Sequence, residues 1–246
     1  MSSNISAIWL GGGAEQGGGY GTIQDGYADL ISSAGVFSQT GAKVFRVWSS
    51  LIDMGSERLV QAGVITEAQR QQNFKLLQDI GTYCRANGIA LAVEDNFLWT
   101  PAWTADWVNT AKAAGLPIGF VDGGENIINV ANTPSALTAL ATTMVADAKV
   151  VAAAFPKVQF GDIEPPVTPA SQQGDRNNLL TNWWNTYNAV AKQAGIAGFS
   201  YFLADIAWDG ANTTWQGELE QISKLTTSAG LQLGAFINGY SDDVTS

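Results

Sequence analysis

The feature that most constrains the fold of this 246-residue chain is a regular alternation of short apolar runs with longer helical patterns. Short runs rich in Val, Ile, Phe and Leu are typical of buried strands, and apolar residues three or four positions apart are typical of helices. The chain is therefore expected to repeat a strand, a loop and a helix. The predicted strands are 6–10, 42–48, 89–94, 117–122, 158–164, 198–205 and 231–238, and the predicted helices are 24–40, 66–87, 104–115, 133–154, 175–195 and 214–229.

A glycine separates a predicted helix from the next strand at five places. The segments are "QTGAKV", "RANGIA", "KAAGLP", "KQAGIA" and "TSAGLQ". Glycine readily adopts the left-handed conformation that ends many helices. We therefore predict one kind of tight turn at all five places.

Repeats of this kind form a parallel sheet covered by helices, either as a closed barrel or as an open, doubly wound sheet. Length and unit count favour an α/β fold of the (β/α)8 TIM-barrel type, with residues 1–246 as one domain and an irregular or missing last unit. The open-sheet alternative rests on "LGGGAEQGGGYG" after the first strand, which superficially resembles a dinucleotide-binding loop. Its two glycine clusters lack the G-x-G-x-x-G spacing, and no basic residue lies nearby, so we interpret it as a flexible rim loop or as a loop that approaches a sugar closely.

The charge of the chain and the length of its apolar runs limit the partners that we expect. Twelve Lys and Arg residues against 22 Asp and Glu residues give a net charge of −10, which repels a phosphate backbone, so no nucleic-acid partner is expected. The apolar runs are shorter than the ~20 residues that span a bilayer, so no membrane partner is expected either. We expect a secreted monomer without a cofactor, although no signal segment is visible at the N-terminus.

Residue content also limits the chemistry. The chain has no His and one Cys, which excludes Ser-His-Asp and Cys-His catalysis, His-ligated zinc and an internal disulfide. Cys84 lies in a helical pattern and is predicted to be a packed core thiol. Lys43 and Lys157 begin their strands, which is the wrong end of a barrel for a Schiff-base lysine. Proton transfer is therefore left mainly to carboxylates.

Carboxylates and polar side chains follow the predicted strands, where a barrel would have its active site. In "KVQFGDIEPPVTP", Asp162 and Glu164 alternate along one face of a strand that ends at two prolines. We predict that both acids face one cleft. The residues predicted to bind substrate are Arg46, Trp48, Asn96, Trp99, Asp122, Asp205, Trp208 and Asn238.

Tryptophan is the second indication of a ligand class. The chain has nine Trp residues, and several follow strands in loops beside the acids. A sugar stacks its C–H face on an indole while its hydroxyls bond to carboxylates and amides, so a carbohydrate ligand is predicted. The Trp residues within helical patterns are predicted to pack the core: Trp107, Trp183, Trp184 and Trp215.

The segments "VFRVWSS", "LAVEDN", "FGDIEPP" and "FINGY" on this repeat resemble those of the barrel glycoside hydrolases that use two carboxylates. In the large retaining clan of that group a Glu before Pro ends a strand, and "IEP" matches that feature. The resemblance implies hydrolysis of a poly- or oligosaccharide, with Glu164 as the acid/base. We expect Asp162 to keep Glu164 protonated near neutrality. Glu94 is the preferred second carboxylate, with Asp122 and Asp205 as the next candidates, and no metal is expected.

Two other classes remain open. A non-catalytic carbohydrate-binding barrel would keep the Trp and Asn residues but would not need converging acids. A divalent-metal enzyme would use Asp122, Asp162, Glu164 and Asp205 as oxygen ligands, because such ligands suit Mg²⁺ or Ca²⁺.

Overall fold

The computed structural model describes residues 9–11, 23–32, 43–95, 97, 100–124, 126–127, 130–164, 173–208 and 215–239. This part of the chain contains seven strands and eight helices. The strands are β1 (Trp9–Gly11), β2 (Val44–Trp48), β3 (Ala90–Asp95), β4 (Ile118–Gly123), β5 (Gln159–Glu164), β6 (Phe199–Trp208) and β7 (Gln232–Gly239). The helices are α1 (Ile23–Ser32), α2 (Ser49–Asp53), α3 (Glu57–Gln61), α4 (Glu67–Asn87), α5 (Pro101–Ala114), α6 (Pro134–Ala154), α7 (Gln173–Gln193) and α8 (Trp215–Ala229).

The described residues fall into two compact units. The first contains the residues up to Val121 together with Lys149–Val158, and the second contains Asp122–Ala148 and the residues from Gln159 onward. In the first unit β1 pairs with β2 and β2 with β3, both in parallel. In the second unit β5 pairs with β6 and β6 with β7, also in parallel. Parallel strands with intervening helices confirm the predicted α/β class.

The glycine turns have the predicted conformation wherever the structure describes them. The backbone φ angles of Gly88, Gly115, Gly195 and Gly230 lie between +64° and +75°. After each glycine, the next N–H reaches back to a carbonyl in the last turn of the helix, as from Ile89 to Cys84 at 2.8 Å. This is the Schellman arrangement. Gly41 of the fifth turn lies outside the described residues.

Two short helices were absent from the sequence prediction. α2 and α3 have five residues each, too few to show a helical period. Gly55 joins them at a crowded point, where an added Cβ would lie 2.8 Å from a methyl carbon of Leu77 on α4. The α2–α3 segment therefore packs closely on α4 because residue 55 has no side chain.

The buried Trp residues and the thiol are where the sequence placed them. Trp107, Trp183 and Trp184 are at most 3% exposed, and Cys84 is fully buried. Burial raises the pKa of the Cys84 thiol to about 12, so it stays protonated and unreactive. The side chain of Trp215 lies outside the described residues.

Length and composition alone would let one described helix, α6, cross a membrane. Its buried side chains are spaced three or four positions apart, which is the pattern of a helix packed on a protein core. The expectation of no membrane partner stays a prediction. The buried apolar residues are Leu137, Ala141, Met144, Val145, Ala148 and Val151, and Asp147 on the same helix is buried as well.

Candidate functional site

Five carboxylates near the ends of β3, β4 and β5 are buried to 95% or more. A carboxylate removed from water is costly unless hydrogen bonds or charges compensate it. The partners of each acid therefore indicate what it does. The five are Glu94 and Asp95 on β3, Asp122 on β4, and Asp162 and Glu164 on β5.

In the first unit, Glu94 forms an ion pair with Arg46. The Arg46 guanidinium carbon also lies 5.7 Å from the ring centroid of Trp48. The strand register explains this grouping, because Trp48 on β2 lies opposite Glu94 on β3. The structure thus brings together three residues that the sequence analysis selected separately.

Asp95 lies on the other side of β3 from Glu94, because adjacent strand residues point to opposite faces. Its carboxylate accepts hydrogen bonds from Trp107 Nε1 on α5 at 2.6 Å and from the Phe97 backbone N–H at 3.3 Å. Burial raises its pKa to about 6, against these hydrogen bonds and one from Ser49. Asp95 therefore joins β3 to α5, a role that sequence reasoning missed because no local pattern links residues 95 and 107.

Asp162 faces α7. Its Oδ2 accepts a hydrogen bond from Trp184 Nε1 at 2.9 Å, and Trp184 lies on that helix. Tyr187, one turn further along α7, is close enough for the Asp162 charge to add to the burial that raises the Tyr187 pKa. The expected cleft-facing position of Asp162 is therefore not the one the structure gives it. Trp184 and Tyr187 both belong to α7, in the helix layer.

Glu164 is the last residue of β5 and, by strand alternation, lies on the same side as Asp162. Its Oε1 accepts a hydrogen bond from the Ile127 backbone N–H at 2.8 Å. Ile127 belongs to the connection between β4 and α6 and is itself fully buried. Glu164 thus holds that connection against the carboxyl end of β5.

Asp122 lies on the opposite side of the sheet in the second unit. Its Oδ2 is 3.4 Å from the hydroxyl of Tyr201 on β6, which donates to it. Tyr201 lies opposite Gly161 on β5, and a Cβ built there would be 2.0 Å from the Tyr201 ring. The ring therefore crosses β5 over Gly161. The sequence analysis did not identify Tyr201. The available signal was Gly161, because a glycine inside a strand often marks the close approach of another group.

Asp205 lies on the same side of β6 as Tyr201, because every second residue of a strand (here 201, 203 and 205) points to the same face. It is partly exposed. The second unit thus has two of the predicted acids, Asp122 and Asp205, on the face away from Asp162. Asn96 and Trp99 lie outside the described residues, and only the backbones of Trp208 and Asn238 are described, in β6 and β7.

No family model and no curated protein matches this chain. Among solved structures, it is similar to a sugar phosphate isomerase/epimerase from Parabacteroides distasonis, with 9% identity, a TM-score of 0.48, and coverage of 100% of this chain and 91% of that one. It is also similar to endo-glycoceramidase II from Rhodococcus sp., with 9% identity, a TM-score of 0.45, and coverage of 85% and 67%. A mandelate racemase/muconate lactonizing enzyme from a marine actinobacterium gives 12% identity, a TM-score of 0.44, and coverage of 94% and 48%. Likenesses at this level assign no activity.

Proposed function

We propose that this chain is a glycoside hydrolase that cleaves a poly- or oligosaccharide by carboxylate catalysis, in a barrel of the (β/α)8 type. The observation that carries the proposal is the contact of Tyr201 with Asp122 across Gly161. The phenol of Tyr201 orients one oxygen of the buried Asp122 carboxylate. Both residues lie on the face of the sheet that α7 does not cover. A chain without His has mainly carboxylates for acid/base work.

Glycoside hydrolysis needs one carboxyl group to protonate the leaving oxygen and a second to attack the sugar or to activate water. Asp122 and Asp205 are our candidates, because both lie on the Tyr201 side of the second unit. The orientation that Tyr201 gives to Asp122 suits the attacking or water-activating role. Asp205 is partly exposed and suits the acid, which must reach the leaving group.

The competing assignment is the one drawn from sequence, with Glu164 as acid/base and Asp162 beside it. It is weakened by the Trp184 and Ile127 contacts, which give both acids a structural role. The role of Glu94 as second carboxylate and the roles of Arg46 and Trp48 in substrate binding remain predictions. So do a secreted location, a monomeric state and the absence of a cofactor.

The test is a comparison of kcat/KM for the wild-type protein and four variants on aryl glycosides and soluble polysaccharides. Asp122→Asn and Asp205→Asn should each lose about 10²–10⁴-fold, the usual contribution of a positioned acid or base. Cys84→Ala, in the core, serves as the control and should retain activity. A full loss in Glu164→Gln with an active Asp122→Asn would favour the competing assignment, and no hydrolysis by the wild-type protein would reject the proposal.

The same assay separates the two remaining classes. A non-catalytic sugar-binding protein would bind the polysaccharides without turnover. A divalent-metal enzyme would lose activity in chelator. Among the described residues no group of three or more His, Cys, Asp and Glu could hold a metal ion.

A further inference from the structure

Trp103 exposes a large aromatic surface in the first unit. It lies in the first turn of α5 and is 40% exposed, whereas Trp107, one turn later, is 3% exposed. A tryptophan on a surface is not in itself a site. What distinguishes Trp103 is the set of groups that holds it.

The guanidinium of Arg58 lies over the Trp103 ring, with its central carbon 3.7 Å from the ring centroid. This geometry is that of a close cation–π contact. Arg58 is itself held by two carboxylates: it pairs with Asp53, and its Nε lies 3.3 Å from Asp106 Oδ2. Three helices, α2, α3 and α5, thus fix the guanidinium and the indole together.

The location of this cluster favours a role in ligand binding. α2 follows β2 without a gap, and α5 begins six residues after the end of β3. Trp103 and Arg58 therefore belong to the segments that follow the carboxyl ends of these strands, at which Trp48 and Glu94 also lie. In parallel α/β folds, ligands bind at that end.

We infer that Trp103, backed by Arg58, is a stacking platform for a neutral pyranose ring of the substrate. The ligand class rests on the proposed function. An indole offers a flat apolar face to the C–H groups of a sugar. Arg58 lies against the ring and reduces its freedom, so little conformational entropy is lost on binding. With one cation and two carboxylates, Arg58, Asp53 and Asp106 carry a net charge of −1, which disfavours acidic sugars.

The test is affinity electrophoresis in native gels cast with hydroxyethyl cellulose, galactomannan or xylan. All variants are made in an Asp122→Asn background, so that hydrolysis does not alter the gel. The parent should be retarded by at least one of these polymers. Trp103→Ala should raise its Kd about tenfold, and Trp103→Phe, which keeps an aromatic face, should raise it less.

Val64→Ala is the matched control, because Val64, like Trp103, is a large apolar residue exposed in the first unit, at 64%. It should bind like the parent. Absence of retardation in all three gels, or equal retardation of parent and Trp103→Ala, would overturn the inference, as would Trp103-dependent binding to polygalacturonate. If Trp103→Ala fails to melt cooperatively, Trp103→Phe decides alone, and a Kd equal to that of the parent would overturn the inference. Trp103-dependent binding by a protein with no hydrolytic activity would support the platform while rejecting the proposed hydrolase.

Discussion

The ring of Tyr201 crosses β5 over Gly161 and brings its hydroxyl to 3.4 Å from Asp122 Oδ2. Three strands therefore contribute to one contact: β6 supplies the phenol, β4 the carboxylate, and β5 the space between them. Tyr201 is 5% exposed and Asp122 is fully buried. The contact therefore depends on the lack of a side chain at Gly161 as much as on Tyr201 and Asp122 themselves.

Gly161→Ala should therefore destabilise the protein. The new methyl would lie 2.0 Å from the Tyr201 ring, so the ring or the strand must move, at a cost of about 1–3 kcal/mol. Urea unfolding measures the change. Gly217→Ala is the control with the opposite sign, because that helical glycine has no atom within 4 Å of the new Cβ and should gain about 0.5–1 kcal/mol. Equal effects at the two sites would contradict the contact.

Tyr201→Phe tests the hydroxyl apart from the ring. The ring keeps its place over Gly161, so the loss of stability should be limited to one hydrogen bond, about 0.5–1.5 kcal/mol. Under the proposed function, kcat should fall more than KM rises, because the lost group orients a reacting carboxylate. Unchanged kcat on every substrate that the wild-type protein hydrolyses would remove Tyr201 from the site.

Much of the fold could be predicted because its signals are local. No predicted strand boundary is shifted by more than three residues from the observed one. Glycine after a helix, as at Gly88 and Gly115, needs only a few neighbouring residues to be recognised. The five-residue helices α2 and α3 were missed for the converse reason, since one turn of helix has too few positions to show a period.

The site could be predicted only in part. Strand alternation shows which residues share one face of the sheet, but it does not show which face the helices cover. It correctly separates Asp162 from Gly161, but it does not say which of the two faces α7. That choice depends on tertiary packing, here the reach of Trp184 to Asp162. For the same reason Asp95 received no role from sequence, although its partner Trp107 was correctly predicted to be buried.

Trp184 and Trp183 offer a matched pair of tests for the structural role of Asp162. Both indoles are buried on α7, but only Trp184 Nε1 donates to Asp162, whereas Trp183 Nε1 has no partner among the described residues. Trp184→Phe should therefore cost more stability than Trp183→Phe, by about 1.5–3 kcal/mol for a hydrogen bond to a charged group. The free energies of unfolding of the two variants provide the comparison. A greater cost for Trp183→Phe would contradict it.

Asp95 should make the stability of the protein depend on pH in a specific direction. Its pKa of about 6 in the folded protein lies above the ordinary value of 3.8, mainly through burial. Between these values the folded state holds a proton that the unfolded state has released, so the contribution of Asp95 to stability falls as pH rises. Two pKa units correspond to about 3 kcal/mol at most. The negative charge of Asp53 also raises the pKa of Asp95. Asp53 itself forms an ion pair with Arg58, which also pairs with Asp106.

Asp95→Asn removes this titration while keeping the size of the side chain. Relative to the wild-type protein, the variant should therefore gain stability as the pH is raised from 4 to 7, with the change centred between the two pKa values. Urea unfolding of both proteins at several pH values measures the difference, in which the contributions of all other acids cancel. Asp106→Asn, at a partly exposed position on the same helix as Trp107, is the control and should show a smaller change. A difference that is constant over this range would show that Asp95 is ionised as easily in the folded chain as in the unfolded one, and the opposite slope would show that it is ionised more easily in the folded chain.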